Sequence, residues 1–81
     1  MNKYETMAVE ILEKAADTDG LAEEMELDLF DACLLDSLSV ISIIIMIEEK
    51  IGKALVPTDF VQKDISTVKE FARFLMEKDA Q

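Results

Sequence analysis

At 81 residues the chain has room for one domain with a modest core. Its single cysteine excludes an intramolecular disulfide and points to a reducing compartment, while the absence of histidine removes the usual general base and any Ser-His-Asp triad. A formal net charge of −10 argues against nucleic acid and anionic membranes as partners.

That charge is unevenly placed. No basic residue lies between Lys14 and Lys50, an interval that holds Asp17, Asp19, Glu23, Glu24, Glu26, Asp28, Asp31, Asp36, Glu48 and Glu49. Elsewhere acids and bases balance, eight against eight. Such a half favours basic protein partners and fast, salt-sensitive association; the plainer alternative is that the acids only keep the protein soluble. The start, Met1-Asn2-Lys3-Tyr4-Glu5, has no basic segment followed by an apolar run, so no secretion signal is expected. The apolar run from Val40 to Ile47 falls far short of the roughly 20 residues that span a bilayer. The expectation is a soluble cytoplasmic protein without membrane insertion.

The first predicted helix runs from about Lys3 to Ala16. Tyr4, Met7, Ala8, Ile11, Leu12 and Ala15 recur at helical spacing and form one apolar face, with Glu10 and Lys14 placed to pair on the outer face. Gly20 marks a break after it. Residues 17 to 36 are less regular. Met25, Leu27 and Leu29 alternate with acids, which predicts an extended segment, and Leu29, Phe30, Leu34 and Leu35 are expected to tuck onto the core. A connection this long tends to be functional or to contain a short helix.

The second helix has to be argued. Val40-Ile41 and Ile43-Ile44-Ile45 are β-branched and suit a buried strand. Helix is favoured because Asp36 or Ser37 can cap it, Gly52 can end it, and the length between them exceeds a typical strand. As a helix it carries two apolar stripes. Val40, Ile43, Ile44, Ile47 and Ile51 form one; Leu38, Ile41 and Ile45 form the other. A surface helix needs a single core stripe, so the second is either more core or a docking place for partners.

Pro57-Thr58-Asp59-Phe60-Val61 reads as a turn leading into one short helical turn. The last helix begins at Thr67, where Thr67-Val68-Lys69-Glu70 fits a capping box; Val68, Phe71, Ala72, Leu75 and Met76 make its apolar face. The predicted fold is all-α: a small bundle of three main helices plus one short helix.

Leu34-Leu35-Asp36-Ser37-Leu38 is the place where chemistry is expected. A serine hydroxyl at a helix start can carry a phosphate where backbone N–H groups and the positive end of the helix dipole interact with it. In this setting the chain resembles the acyl and peptidyl carrier protein family, over roughly Leu27 to Leu75. The family's D-S-L core stands as Asp36-Ser37-Leu38, with an aromatic upstream at Phe30. The Glu-Glu-x-apolar-Gly helix end is Glu48-Glu49-Lys50-Ile51-Gly52, and the last helix opens on Ile65-Ser66-Thr67-Val68.

The resemblance implies a four-helix bundle of acyl-carrier-protein type over residues 1–81. It also implies that a separate, magnesium-dependent transferase places 4'-phosphopantetheine from coenzyme A on Ser37. The thiol of that arm then holds an acyl or aminoacyl group as a thioester. Asp36 would help the transferase engage, and Leu38, Ile41 and Ile45 would contact it and later enzymes: an activating ligase and a downstream transferase. The carrier itself would catalyse nothing. No metal is expected; a monomer is expected, with a weak dimer through the apolar stripe as the alternative. Leu34-Leu35-Asp36-Ser37 and Val56-Pro57-Thr58-Asp59-Phe60 look most like the D-alanine carrier proteins of teichoic-acid D-alanylation.

Two departures stand out. The family often has Gly where Cys33 stands, in a turn where positive φ is easy for Gly, so a different turn is expected there. It often has acids where Ser39 and Ser42 stand, so this face is more apolar and implies a specialised partner set. Cys33 itself has no histidine, second cysteine or nearby base to activate it, and a small, partly buried residue is expected. Ala15 to Glu26 imitates a calcium loop through Asp17, Asp19, Gly20 and Glu26, but Ala15 stands where the first ligand belongs. The alternative function is a non-prosthetic acidic helical interaction module, or a calcium-responsive adaptor.

Overall fold

The computed structural model describes residues 2–52 and 65–80. Among these the elements are three helices, α1 (Lys3–Ala16), α2 (Ser37–Ile51) and α3 (Val68–Asp79), with a 3₁₀ turn at Leu21–Glu23. No strand occurs among the described residues. The short helix predicted near Pro57–Val61 lies outside them.

α1 starts where Asn2 caps it. The Asn2 side chain accepts from the Glu5 N–H at 2.8 Å, and the Glu5 carboxylate accepts from the Asn2 N–H at 3.0 Å, a complete capping box. It ends at Asp17, which turns left-handed (φ 53°) and donates its N–H to the Glu13 and Lys14 carbonyls. Its inner face buries Ala8, Val9, Ile11 and Leu12. α1 packs against both other helices, more extensively against α3. Glu10 does not pair with Lys14. Its carboxylate lies 3.4 Å from Lys50 at the far end of α2, a link between helices in place of one along a helix.

α3 starts at Thr67, whose hydroxyl accepts from the Glu70 N–H at 3.0 Å. The capping box is half made: the Glu70 carboxylate lies 3.7 Å from Arg73. Val68, Phe71, Ala72, Phe74 and Leu75 are buried, while Met76 is exposed. The buried arc is thus displaced from the predicted face toward Phe74, whose ring stacks on Phe71 at 6.5 Å between centroids.

The connection from residue 17 to residue 36 is not an extended strand. Leu21–Glu23 is tied to α1 by the Leu21 N–H, which donates to the Glu13 carboxylate at 3.1 Å. Beyond it, Lys69 N–H donates to the Met25 carbonyl at 3.1 Å and Leu29 N–H to the Ser66 carbonyl at 2.6 Å, so the segment is clamped across the start of α3. Leu29 and Leu35 are fully in the core, with Phe30 and Leu34 packed partly against it, as the pattern of apolar residues predicts. The alternation at 25, 27 and 29 arises because two separate backbone bonds hold this stretch down, without a strand ladder.

Candidate functional site

The site is built from the turn before α2. Asp28 folds back on itself: its side chain accepts from the Phe30 and Asp31 N–H groups, both at 3.0 Å, and its carbonyl accepts from Ala32. This single helical turn then stops. Leu34 N–H donates to the Leu29 carbonyl and Cys33 N–H to the Phe30 carbonyl, the paired bonds of a Schellman ending, with Cys33 at the left-handed position (φ 61°). The glycine-type turn is therefore present although the residue is cysteine, which corrects the expectation of a different turn. Cys33 is also exposed, not partly buried, because a Schellman ending points this position to solvent.

Leu35 N–H also donates to the Leu29 carbonyl, at 3.2 Å, and its side chain drops into the core. The chain then emerges at Asp36, and α2 begins. Of the two caps open in the sequence, Asp36 takes the role. Its Oδ1 accepts from the Leu38 and Ser39 N–H groups, both at 3.0 Å, and from the Ser39 hydroxyl at 3.2 Å. These bonds, chiefly the two from Ser39, hold the Asp36 carboxyl below its ordinary value despite some desolvation. Ser37 is the first residue of the helix and is exposed; its hydroxyl makes no hydrogen bond among the described residues.

The two stripes of α2 separate cleanly. Ile43 and Ile47 are fully buried and Ile44 nearly so, with Val40 and Ile51 at the margin of the core. Leu38, Ile41 and Ile45 remain 75%, 56% and 52% exposed. They lie one turn apart on the side of the helix that also presents Ser37, Ser42 and Glu49 to solvent. The helix ends at Gly52, left-handed at φ 80°, as predicted.

The structure thus brings all five predicted site residues to one helix start and one face. It adds Ser39, whose hydroxyl joins the cap. The signal for it was present as an Asp followed three residues later by Ser, the spacing of a cap and its third helical residue. The acidic segment does not form a calcium hand. Asp17 caps α1, and Glu26 lies 3.8 Å from Lys69. Among the described residues no group of three or more His, Cys, Asp or Glu is placed to hold a metal ion. No helix among the described residues is long and apolar enough to cross a membrane.

A small helical domain with an exposed serine at a helix start, beside an apolar stripe, has the architecture of a prosthetic-arm carrier. Comparison with known proteins gives the same class. The family described as "Phosphopantetheine attachment site" matches residues 9–75. Similar curated proteins are named "D-alanyl carrier protein". That of Lactococcus lactis subsp. lactis is 30% identical over 69 residues, covering 85% of this chain and 87% of the relative. That of Abiotrophia defectiva is 26% identical over 76 residues, covering 94% and 96%. That of Listeria monocytogenes serotype 4b is 34% identical over 59 residues, covering 73% and 76%. No solved structure matches at a comparable level.

The chain therefore belongs to the phosphopantetheine-attachment family of carrier proteins and is close to the D-alanyl carrier proteins. It is a phosphopantetheine-dependent carrier, and this membership sets aside the non-prosthetic alternative. The covalently attached 4'-phosphopantetheine supplies a thiol on a flexible arm, where an acyl or aminoacyl group is held as a thioester.

Proposed function

We propose that Ser37 is the residue that carries the arm. One observation supports this above the others: Ser37 opens α2 exposed, with a hydroxyl that makes no hydrogen bond among the described residues, while the capping is done by its neighbour Asp36. A serine that capped the helix itself would have its oxygen committed to backbone N–H groups. Here that oxygen is left for esterification.

The same cap fixes what the phosphodiester meets. The Leu38 and Ser39 N–H groups, which would otherwise receive an anion at this helix start, already donate to Asp36. Those two donors would therefore not be free to hold a phosphate on Ser37, whose sequence neighbour is the Asp36 carboxylate. The helix dipole still favours the phosphate by about 0.3–1 kcal/mol at an exposed position, too little to immobilise the arm. A mobile tether suits a group that must visit several enzymes.

Leu38, Ile41 and Ile45 then serve as the apolar contact for those enzymes, on a helix that also carries the acids Asp36 at its cap and Glu48 and Glu49 toward its end. A partner with an apolar patch and a basic border would complement it. The partners are a phosphopantetheinyl transferase, an activating ligase and a downstream acceptor transferase. The protein acts as their substrate and catalyses nothing itself. It works as a single cytoplasmic domain over residues 1–81, as a monomer. The names of the relatives support D-alanine as the cargo.

Incubating the purified chain with coenzyme A and a broad-specificity phosphopantetheinyl transferase tests the attachment site by intact mass. One adduct is expected on the wild type and none on Ser37→Ala, with stability of the variant changed by no more than about 0.5 kcal/mol. An adduct that survives Ser37→Ala would move the site elsewhere. Failure of the loaded protein to accept D-alanine from a D-alanine-activating ligase would remove the cargo assignment and leave the carrier standing.

A further inference from the structure

Asp36 Oδ1 accepts three hydrogen bonds, and only two of them are needed to cap a helix. The Leu38 and Ser39 N–H groups, both at 3.0 Å, are backbone donors that a capping aspartate meets whatever follows it. The third comes from a side chain, the Ser39 hydroxyl at 3.2 Å. The terminal torsion of an aspartate is broad, so backbone capping alone leaves the carboxylate plane free to rock. A side-chain donor on the same oxygen restricts that rocking. Oδ2 makes no hydrogen bond among the described residues, and the Asp36 side chain is exposed.

We propose that Ser39 is a positioning residue for the loading of Ser37: its hydroxyl holds the Asp36 carboxylate with Oδ1 committed to the helix and Oδ2 presented to a cationic group of the transferase. The proposal rests on the reading of Ser37 as the attachment site. The chemistry is that of a divided carboxylate, in which one oxygen serves the fold and the other serves the partner. The depressed titration of Asp36 agrees with it, since the Ser39 donors are its main causes and no charged side chain is among them. Donors on its own helix thus favour the ionised form of the carboxylate. A hydroxyl is needed at position 39 for this: alanine has no donor, and threonine keeps one at the same atom.

Ser39→Ala and Ser39→Thr test this in the full-length apo protein. Carboxyl NMR reads the titration of Asp36, and steady-state kinetics with coenzyme A and a broad-specificity transferase read loading. In Ser39→Ala the Asp36 midpoint is expected to rise toward the ordinary carboxylate value. Loading efficiency is expected to fall about threefold to tenfold, the scale of one lost hydrogen bond, through the KM for the carrier with kcat unchanged. Ser39→Thr is expected to restore both. Both variants keep the backbone cap, and helix content by circular dichroism checks that α2 persists. Unchanged KM and midpoint in Ser39→Ala, or a threonine variant as impaired as alanine, would overturn the proposal while leaving Ser37 in place. Loading that persists in Ser37→Ala would overturn both.

Discussion

The two faces of α2 are made from nearly the same residues and do opposite things. Ile43 and Ile47 on one side are fully buried, whereas Ile41 and Ile45 on the other are more than half exposed. Composition does not distinguish them, since isoleucine dominates both stripes in a single helix. Position relative to α1 does. The inner stripe belongs to the same buried cluster as Leu12 of α1, and the outer stripe stays more than half exposed. The lesson is that hydrophobicity along this helix does not by itself mean core, and that burial is what tells the two stripes apart.

The largest expected effect comes from cutting the same side chain on each face. Ile47→Ala removes a fully buried group and should cost about 2–5 kcal/mol. A chain of this length has roughly 4–12 kcal/mol in total, so a fall in Tm of about 8 °C or more is expected by calorimetry. Ile41→Glu, on the outer face, should change stability by no more than about 0.5 kcal/mol. Its transfer to and from partner enzymes should nevertheless fall about tenfold or more, as for a central contact of an interface. Equal loss of stability in the two variants would break the comparison, because the outer stripe would then belong to the core.

How far these faces were legible in the sequence depends on the element. α1 is readable from end to end, because six apolar residues at helical spacing coincide with its bounds at Lys3 and Ala16. α2 is not decided by propensity, since Val40, Ile41 and Ile43–Ile45 fit a strand equally well; the cap at Asp36 and the stop at Gly52 decide it. Both are local features that a single chain displays. Interactions between distant segments leave no such mark. The bond from Leu29 N–H to Ser66, the Glu10–Lys50 pair and the burial of Phe74 depend on which helices meet. The proposed site could be read for the same reason that α2 could: Asp36, Ser37 and Leu38 stand at adjacent positions at the helix start. The hydrogen bond from the Ser39 hydroxyl to Asp36 shows only in the structure, because a serine at the third helical position gives a weak signal.

Cys33 offers a smaller and opposite change. It is left-handed in the Schellman ending that sets up α2, and its side chain is exposed. A non-glycine residue in this conformation is strained by about 1–2 kcal/mol, part of which glycine gives back through its looser unfolded state. Cys33→Gly should therefore stabilise the protein by about 0.5–1 kcal/mol, measured by urea unfolding. Since glycine keeps the same left-handed turn ahead of α2, loading should be unchanged. A destabilised variant would mean that the thiol, which lies 4.0 Å from the Asp31 carbonyl, supports the turn.

Acid should separate the helix start from the helix core with the least perturbation. The Asp36 carboxyl titrates below its ordinary value of 3.8 in the folded chain, because Ser39 and Leu38 donate to its ionised form. A depressed carboxylate contributes stability that is fully present above the unfolded value. That contribution is lost as pH falls toward and through the lower folded value. Protonation removes the charge from Oδ1 and weakens all three donors at once, so the first turn of α2 loosens. The inner stripe has no titrating group and is held by burial. Amide exchange followed from neutral pH downward, corrected for the intrinsic rate, should show protection at Leu38 and Ser39 declining first. Ile43 and Ile47 should keep theirs until the protein unfolds as a whole. Simultaneous loss at all four amides would mean that the helix start and the packed face are one cooperative unit, and that the cap is part of the core's stability instead of a device for presenting Ser37.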